Sequence, residues 1–458
     1  MKPEIPVKKN EKYIMDIDSL GHEGEGVGRI QNFTVFVPHT VPGDKIKIKI
    51  VKVKKSYAYG KLIEIIHRAE HRIDPMCPIH KKCGGCQLQH LAYAEQLNFK
   101  KQKVIDNIER IGKLKNINVH DTIGMNKPLR YRNKVQFPVG RDEKHGQIQV
   151  GFYAPRSHNI IETDTCYIQH EINDKIIEQL KLWMKDYHIT AYNESTGNGL
   201  VRHIFTRVAF KTGEIMVVLV TNGTNIPHKE QFIDRMRSVS DDVKSIIQNI
   251  NTKATNVILG QKNRVLWGKD SIVDYIGDVK FSISPMSFYQ VNPVQTEILY
   301  QKALEYAALK GDETVFDLYC GIGTISLFLA RKAKKVVGVE IIPEAIEDAR
   351  ENARINDIYN VEFHVGAAEE VIPKLYQQGY KADVVVVDPP RKGCDETLLD
   401  TVVKMQVKKV IYVSCNPSTM ARDLRFLEDK GYKTVEVQPV DLFPHTYHVE
   451  VIVKLEKL

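Results

Sequence analysis

The stretch Val410-Ile411-Tyr412-Val413-Ser414-Cys415-Asn416-Pro417 indicates the fold of this chain. Its β-branched and aromatic residues predict a buried strand that ends at Asn416-Pro417. Cys415 is therefore expected at the carboxyl end of a strand. In an open α/β sheet, ligands bind in the crevice beyond those strand ends. Most free cysteines are buried core residues, so the function of Cys415 depends on what the neighbouring strand ends carry.

Two more predicted strand ends carry polar residues and glycines. The first is the motif Asp317-Leu318-Tyr319-Cys320-Gly321-Ile322-Gly323, and the second is Val387-Asp388-Pro389-Pro390-Arg391. Glycines after a strand let a nucleoside-bearing ligand approach the backbone where the next helix begins. Asp388 is expected to line the same pocket. Three such ends in one sheet favour a chemical role for Cys415.

The type of ligand follows from what surrounds the Gly321-x-Gly323 turn. The strand Val336–Glu340 ends in an acid that can accept hydrogen bonds from ribose hydroxyls. Gln290 precedes a helix predicted to begin at Asn292-Pro293, where its amide can bind a zwitterionic ligand. The sequence has neither a complete Gly-x-Gly-x-x-Gly motif nor a phosphate-binding loop. These features favour S-adenosylmethionine over a dinucleotide or a nucleoside triphosphate.

Composition limits the class of protein. A chain of 458 residues predicts two to four domains, and the sequence contains neither a membrane-spanning apolar run nor a secretory signal. Seven cysteines, some closely spaced, favour a metal site in a reducing compartment, so we expect a cytoplasmic protein. Residues 1–150 hold 28 Lys and Arg against 16 Asp and Glu, although the whole chain is only +8. This asymmetry predicts a polyanion, such as nucleic acid, bound by the front of the chain.

The amino-terminal region alternates in a pattern typical of a small antiparallel barrel. Lysines and isoleucines alternate from Lys45 to Ile50, and an interruption at Val51 indicates a bulge. The lysine face, with Lys47 and Lys49, predicts an oligonucleotide-binding module. We expect deletion of residues 1–68 to weaken RNA binding and to change turnover at saturating RNA much less.

A cluster of cysteines follows this region. Cys77, Cys83 and Cys86 lie within ten residues around a Gly-Gly turn, and Cys166 is the candidate fourth ligand. Four thiolates suit either zinc or an iron–sulfur cluster, and the spacing alone does not choose between them.

Two further elements are predicted before the catalytic region. Leu91 to Ile111 has the pattern of an amphipathic helix with lysines opposite its apolar stripe. Residues Leu129 to Phe137 alternate as a strand with Arg130 and Arg132 on one face, which suits contacts with RNA phosphates and bases. The region from Gly151 to Asp278 is predicted to be an α+β scaffold.

Taken together and in order, the motifs resemble a known family. The front of the chain, with Gly21–Arg29 and Val41–Asp44, looks like a TRAM domain. The other motifs resemble the RNA uracil-C5 methyltransferases, which make 5-methyluridine, and are most similar to the 23S ribosomal RNA enzymes. These motifs are Phe288-x-Gln290-x-Asn292, Asp317-x-Tyr319-Cys320-Gly321-x-Gly323, Asp388-Pro389-Pro390-Arg391, Ser414-Cys415-Asn416-Pro417 and Phe443-Pro444-His445-Thr446-x-His448-Val449-Glu450.

The resemblance implies a domain plan and a ligand set. The fold is an α/β, Rossmann-like S-adenosylmethionine-dependent methyltransferase domain (residues 93–119 and 279–458). A TRAM or OB-like β-barrel (1–68) precedes a central α+β domain with an iron–sulfur cluster (69–92 and 120–278). By the same resemblance Cys77, Cys83, Cys86 and Cys166 bind a 4Fe–4S cluster. We expect a monomer that binds RNA and no membrane.

The resemblance also assigns roles in the reaction. It places Gln290, Tyr319, Glu340 and Asp388 around S-adenosylmethionine, makes Cys415 the nucleophile and makes Glu450 the base. Uracil C5 is a poor nucleophile until a thiolate adds at C6, and a base must then remove the C5 proton before the thiolate leaves. If Glu450 is not that base, His445 or His448 is the next candidate.

Three alternatives stay open. The substrate can be transfer RNA instead of ribosomal RNA. Asp388-Pro389-Pro390 also resembles the motif of exocyclic-amine methyltransferases, but Arg391 stands where that class has an aromatic residue. A non-catalytic RNA-binding or redox-sensing iron–sulfur protein would leave Gln290, Cys415 and Glu450 without a role.

Overall fold

A computed structural model describes residues 5–142 and 145–458 of the protein. The amino-terminal unit is a six-stranded sheet in the order β1-β5-β6-β4-β3-β2, antiparallel except for β4 and β6. Its elements, with the helix that follows, are β1 (Lys12–Asp16), β2 (Ser19–Leu20), β3 (Gly26–Ile30), β4 (Phe33–Val37), β5 (Lys45–Val53), β6 (Tyr57–His67) and α1 (Tyr93–Arg110). The sheet curls around one apolar core that includes Val35, Ile46 and Ile48.

The alternation predicted for β5 is confirmed. Ile46, Ile48 and Ile50 are fully buried, whereas Lys47 and Lys49 are half-buried on the other face. The register shifts between Ile50 and Lys52, where a bulge was expected, and it shifts at two earlier points as well. The lysines therefore form one face of the amino-terminal sheet.

The central unit is a second, mixed sheet in the order β13-β12-β11-β10-β7-β8-β9, with two helices packed on it. Its elements are β7 (Lys134–Arg141), β8 (Ile148–Tyr153), β9 (Ile160–Glu162), α2 (Ile172–Asp186), β10 (Val201–Val208), β11 (Ile215–Thr221), α3 (Lys229–Arg237), β12 (Val243–Ile250) and β13 (Lys262–Gly268). This agrees with an α+β scaffold. The strand predicted from Leu129 begins only at Lys134, and Arg130 has a positive φ of 55°, so the first part of that prediction was wrong.

The carboxyl-terminal unit is a seven-stranded sheet with helices on both faces, in the order β18-β17-β16-β19-β20-β22-β21. It is preceded by a hairpin. The elements are β14 (Ile272–Ile276), β15 (Val279–Ile283), α4 (Pro293–Ala307), β16 (Thr314–Leu318), α5 (Thr324–Ala330), β17 (Lys335–Glu340), α6 (Pro343–Arg354), β18 (Val361–Val365), α7 (Ala368–Gln377), β19 (Val384–Val387), α8 (Glu396–Lys404), β20 (Lys409–Ser414), α9 (Pro417–Asp429), β21 (Tyr432–Val440) and β22 (Glu450–Lys457).

The strand order of the carboxyl-terminal sheet indicates where a ligand would bind. Strands β18, β17, β16, β19 and β20 are parallel, and the chain order reverses between β16 and β19. Ligands of open α/β sheets bind at such a reversal, beyond the carboxyl ends of the strands. β22 is antiparallel to both of its neighbours, so its amino end lies beside the carboxyl end of β20. The strands are apolar because both faces of the sheet are covered.

The hairpin β14–β15 shares a core with the carboxyl-terminal unit. Ile276, Phe281 and Ile283 lie in one apolar cluster with Leu299 of α4 and Ile325 of α5. The domain boundary expected between residues 278 and 279 therefore falls inside this hairpin, at its turn. Short apolar strands of this kind carry no sequence signal for the unit against which they pack.

Helix α1 packs on the carboxyl-terminal sheet although it precedes the central unit in the chain, as the family resemblance implied. Val104 and Ile108 share an apolar cluster with residues of β16, β20 and α9. The expectation that its lysines lie on the solvent side was wrong for two of them, since Lys100 and Lys103 are both buried. Among the described residues, none of the helices has the length and apolar character needed to cross a membrane.

Candidate active site

One large cavity, with a volume of about 1760 Å³, opens at the carboxyl ends of the central strands. It brings together most of the site residues expected from the sequence. Those that line it are Cys77, Cys83, Cys86, Arg132, Cys166, Gln290, Tyr319, Gly321, Glu340, Asp388, Cys415 and Glu450. Gly323 follows in the same turn as Gly321 and does not line the cavity. Lys47 and Lys49 are on β5 and Arg130 is behind the cysteines, and these three are not among the lining residues.

The loop after β16 is built for close approach of a ligand. Tyr319 has a positive φ of 70°, which is uncommon for a residue with a side chain and is typical of functional sites. Gly321 and Gly323 also have positive φ, 55° and 80°. A Cβ atom at Gly323 would lie 3.2 Å from Ala349. Glycine therefore allows the backbone to turn sharply into α5 against α6.

Glu340 lies at the end of β17 with its carboxylate held in place. One oxygen accepts a hydrogen bond from the backbone N–H of Gly321 (3.1 Å), and the other accepts one from Ile342 (3.0 Å). Each oxygen can accept a further hydrogen bond, because a carboxylate has about four acceptor positions, and Glu340 lines the cavity. The exposed side chains of Ile341 and Ile342 flank it on the cavity wall. The acid and its apolar neighbours suit a ribose and its base.

Cys415 and Glu450 lie on neighbouring strand ends. Ser414 at the end of β20 pairs with Val451 of β22, so the next residues on the two strands are Cys415 and Glu450. Glu450 is only 4% exposed. Asp388, at the end of β19, is the third acidic or nucleophilic group in this part of the cavity.

The pKa values of these groups reflect burial and mutual repulsion. Burial, together with the carboxylates of Glu450 and Asp388, raises the pKa of Cys415 to about 11. Burial raises the pKa of Asp388 to about 6. Burial and then Asp388 raise the pKa of Glu450 well above its usual value. Shifted pKa values in one cavity are typical of catalytic groups.

Arg391 is a site residue to which the sequence analysis gave no role. Its positive charge opposes the pKa shifts of both Cys415 and Glu450. Its backbone carbonyl accepts hydrogen bonds from the Asn416 side chain (2.8 Å) and the Thr419 hydroxyl (3.2 Å), so the segment is fixed to the start of α9. The motif Asp388-Pro389-Pro390-Arg391 could have indicated this role from the sequence, because Arg391 follows a strand end that was expected to line the same pocket as Cys415.

The loop from Asp441 to Val449, which we call the 441–449 loop, is anchored by buried groups of α1. The Nζ of Lys100 lies 2.5 Å from Asp441 Oδ1, and both side chains are fully buried. Lys100 also donates to the carbonyl of Phe443 (3.0 Å), and the hydroxyl of Tyr93 donates to Asp441 Oδ2 (2.8 Å). A lysine inside a helical pattern gives no sequence signal for a partner 341 residues away. These contacts hold the loop that leads into Glu450.

The two histidines of this loop differ in position. His448 lines the cavity, and burial together with Arg391 and Lys103 lowers its pKa to about 4. His445 lies behind the wall, where its backbone N–H donates to the Gln96 side chain (3.0 Å). Of the two fallback bases, only His448 lines the cavity.

The four cysteines lie together at the other end of the cavity. Burial raises the pKa of Cys166 to about 11, and it also raises the pKa of Cys77, Cys83 and Cys86. A zinc–sulfur bond of about 2.3 Å would place the sulfurs of a tetrahedral site about 3.8 Å apart. Within the described part of the chain, however, no three cysteine sulfurs lie within 4.8 Å of one another. The sulfurs are thus not drawn together as around a bound zinc ion, and the all-thiolate donor set suits an iron–sulfur cluster as well as zinc.

Arg130 supports this cysteine site instead of facing the cavity. Its guanidinium donates to the carbonyls of Cys166 (2.8 Å) and Gln169 (3.3 Å) and to the hydroxyl of Thr165 (3.1 Å). Arg132, two residues later, lines the cavity. A positive φ at Arg130 separates the two arginines, whereas the predicted strand would have placed them on one face.

The amino-terminal sheet touches the 441–449 loop directly. Lys103 Nζ donates to the carbonyl of His22 (2.9 Å) in the first turn of the sheet and to that of Tyr447 (3.0 Å). A Cβ atom at Gly24 in the same turn would lie 2.8 Å from Leu88 and 3.5 Å from Tyr447. Deletion of residues 1–68 therefore removes a support of the loop, and it is not the clean test of RNA binding that the sequence indicated.

Comparison with known proteins agrees with this architecture. The family model for tRNA (uracil-5-)-methyltransferases matches residues 92–458, and the TRAM domain model matches residues 6–63. The crystal structure of tRNA (uracil-54, C5)-methyltransferase from Pyrococcus abyssi, in complex with S-adenosyl-L-homocysteine, is similar with a TM-score of 0.79. It is 29% identical and covers 97% of this chain and 100% of that chain.

Proteins described as uncharacterized RNA methyltransferases are more similar in sequence. The one from Clostridium tetani is 56% identical over 453 residues, covering 99% of this chain and 98% of the relative. The one from Clostridium acetobutylicum is 56% identical over 460 residues and covers both chains completely.

The fold class expected from the sequence is thus confirmed: the protein is an α/β methyltransferase with a TRAM domain at its amino end. The chain belongs to the tRNA (uracil-5-)-methyltransferase family. It is an RNA methyltransferase, as the relatives of the same length are.

Proposed function

We propose that this enzyme transfers a methyl group from S-adenosylmethionine to C5 of a uridine in RNA through a covalent Cys415 adduct. The observation that carries the proposal is the pairing of β20 with β22, which places Cys415 and Glu450 side by side on the wall of one cavity. An exocyclic amine needs no nucleophilic cysteine, and Arg391 stands where that class of methyltransferase has an aromatic residue.

Each residue has a defined part in the reaction. The Cys415 thiolate forms an S–C6 bond, which makes C5 nucleophilic. After C5 has taken the methyl group, Glu450 accepts the C5 proton; the S–C6 electron pair then returns to sulfur and the C5–C6 double bond forms again. Arg391 favours the thiolate, because it is the cation that opposes the repulsion from Asp388 and Glu450. The target uracil must leave its stack in the RNA to reach this cavity.

The methyl donor fits the part of the cavity between β16 and β17. S-adenosylmethionine supplies an electrophilic methyl on a sulfonium. The carboxylate of Glu340, fixed by Gly321 and Ile342, is the acceptor for ribose hydroxyls. Tyr319 and Gly321 bring the backbone close to the ligand, and Gln290 and Asp388 lie on the wall that leads to Cys415. The S-adenosyl-L-homocysteine in the Pyrococcus abyssi structure supports this choice of donor.

We propose ribosomal RNA as the substrate, because the motifs of the sequence resemble those of the enzymes that methylate 23S ribosomal RNA. Transfer RNA is the second candidate, because the Pyrococcus abyssi tRNA enzyme matches almost the whole length of this chain. The two are separated by mapping 5-methyluridine across total RNA from a strain that lacks the gene. We expect one or more sites in 23S RNA to lose the modification and to regain it with the wild-type gene but not with Cys415→Ala. Loss confined to transfer RNA would select the second candidate, and no loss of 5-methyluridine would refute the proposed function.

The four cysteines are proposed to hold one 4Fe–4S cluster. The donor set is all thiolate, which favours soft coordination and suits an iron–sulfur cluster. A reducing, cytoplasmic location is consistent with such ligands and with an RNA substrate. The cluster would have a structural or RNA-positioning role, since methyl transfer moves no electrons. The chain is expected to act as a monomer.

The iron content tests this assignment. Protein purified without oxygen should be brown and contain about four irons per chain, the number in a cluster of this type. Cys83→Ser should lose most of the iron, whereas Cys394→Ser, at a buried cysteine outside the cavity, should retain it. Colourless protein with one zinc bound by the four cysteines would overturn the assignment.

The lysine face of β5 is proposed to bind the RNA backbone. Replacing Lys47 and Lys49 with Gln should weaken RNA binding and reduce the slope of log affinity against log salt by about 0.7 for each phosphate that the variant no longer neutralises, the value for single-stranded RNA. The measurement is RNA binding over a series of salt concentrations. Lys185→Gln, at an exposed lysine of α2, is the matched control and should leave the slope unchanged. An unchanged slope in the Lys47 and Lys49 variant would show that this face is not the RNA clamp.

A further inference from the structure

Three histidines meet where the amino-terminal sheet contacts the segment that carries the cysteines. His39 follows β4, and His80 and His90 flank Cys83 and Cys86 in the chain. One ring nitrogen from each of the three lies within 4.8 Å of the other two. The ring centroids are 5.3 Å apart for His39 and His80, 6.0 Å for His39 and His90, and 6.1 Å for His80 and His90. Within the described residues, this is the one group of three or more His, Cys, Asp or Glu side chains with such spacing.

Each ring has a buried nitrogen without a hydrogen-bond partner. These atoms are Nδ1 of His39, Nε2 of His80 and Nδ1 of His90. His80 is 6% exposed and His90 is 1% exposed. Buried polar atoms nearly always have a partner, so three orphaned nitrogens in one cluster need an explanation.

The orientation of His90 is that of a metal ligand. Its Nε2 lies 3.4 Å from the carbonyl oxygen of Thr40, which can only accept a hydrogen bond, so Nε2 carries the proton. The lone pair is then on the orphaned Nδ1. Metal-binding histidines typically donate their second ring N–H to a backbone carbonyl in this way, which fixes the tautomer and the direction of the ring.

The surroundings permit a cation. His80 and His90 are buried, which favours the neutral ring, and the neutral ring is the form that binds metal. The nearest positive charges are Arg72 and Lys81. Arg72 is paired with the buried carboxylate of Asp44 at 2.6 Å, which balances its charge.

We propose that His39, His80 and His90 bind one divalent transition-metal ion of the zinc type, separate from the four cysteines. Three neutral imidazoles suit zinc, with water in the fourth position. A zinc–nitrogen bond of about 2.0–2.1 Å places the nitrogens about 3.4 Å apart, so binding needs only a small inward rotation of the rings. The ion would tie the turn after β4 to the cysteine segment. It would thereby fix the angle between the lysine face and the cavity.

The test uses the full-length protein, purified without oxygen, treated with a mild chelator and then supplied with zinc alone. Elemental analysis counts zinc separately from iron, and X-ray absorption at the zinc edge reads the type of ligand. We expect one zinc per chain with nitrogen and oxygen ligands and no sulfur. His80→Ala and His90→Ala should each lower the zinc affinity by more than about 100-fold, because a direct ligand contributes more than an outer-shell partner, whose loss costs about 10–100-fold. His71→Ala, at an exposed histidine of the same segment, should retain the wild-type affinity.

Two further variants keep the test decisive if a buried alanine disturbs folding. His39 is only half-buried, so His39→Gln should unfold at the wild-type Tm without metal and should lack the rise in Tm that zinc gives the wild type. Cys83→Ser should keep its zinc. The proposal is overturned if no zinc binds, if the zinc edge shows sulfur ligands, or if zinc is lost from Cys83→Ser and retained by the histidine variants.

Discussion

The Glu450→Gln variant should stall as a methylated, covalent protein–RNA adduct. Glutamine keeps the size and hydrogen bonding of glutamate but cannot accept the C5 proton. Addition of Cys415 and methyl transfer should each occur once, and elimination should then fail. The measurement is a denaturation-resistant protein–RNA band that contains label from the methyl donor.

Companion variants give this result its meaning. Cys415→Ala should show neither turnover nor a band, because C5 is not activated without addition at C6. The double variant should also show no band. Normal turnover by Glu450→Gln, or an adduct that never contains the methyl group, would show that Glu450 is not the base. His448 would then be tested next, since it lines the cavity and His445 does not.

Replacing Lys100 with Met should destabilise the carboxyl-terminal unit by about 3–5 kcal/mol, the cost of leaving one partner of a buried ion pair alone. Asp441 would retain the Tyr93 hydroxyl but lose the cation 2.5 Å from its carboxylate. Activity should fall as well, because the 441–449 loop leads directly into Glu450. The measurements are the free energy of unfolding in urea and the methylation rate below the unfolding transition.

A neighbouring lysine provides the control. Lys101 pairs with Asp121, whose side chain is 95% exposed, so Lys101→Met should leave the free energy of unfolding nearly unchanged. Combining Lys100→Met with Asp441→Leu should recover most of the lost stability, since no buried charge then remains unpaired. If Lys100→Met costs no more than Lys101→Met, the buried pair does not anchor the loop.

The sequence was sufficient for the features that depend on local pattern. The strand ending at Cys415, the helix begun by Asn292 and Pro293, and the alternation of β5 were all predicted, because periodicity and helix capping act over a few residues. Asn292 accepts a hydrogen bond from Gln295, as an N-cap should.

The remaining features depend on contacts between distant residues. Lys100 acts through its ion pair with Asp441. Arg130 reaches the carbonyl of Cys166 from a left-handed backbone conformation that the local sequence does not predict. The histidine cluster joins His39 to two residues of another segment, so no local spacing revealed it. In each case the sequence alone does not distinguish the charged or polar residue from a surface residue, because its partner is distant in the chain.

The position of β22 has a consequence for the order in which the enzyme matures during synthesis. β22 follows every other described strand in the chain, yet it lies between β20 and β21. Neither strand can complete its hydrogen bonds until residues 450–457 have left the ribosome, and the same residues bring in Glu450. Nascent chains that lack this strand leave one edge of β20 and the whole of β21 unpaired, and they lack the proposed proton acceptor. By the proposed mechanism such a chain could not complete a catalytic cycle, and its unpaired strands would make it prone to aggregate.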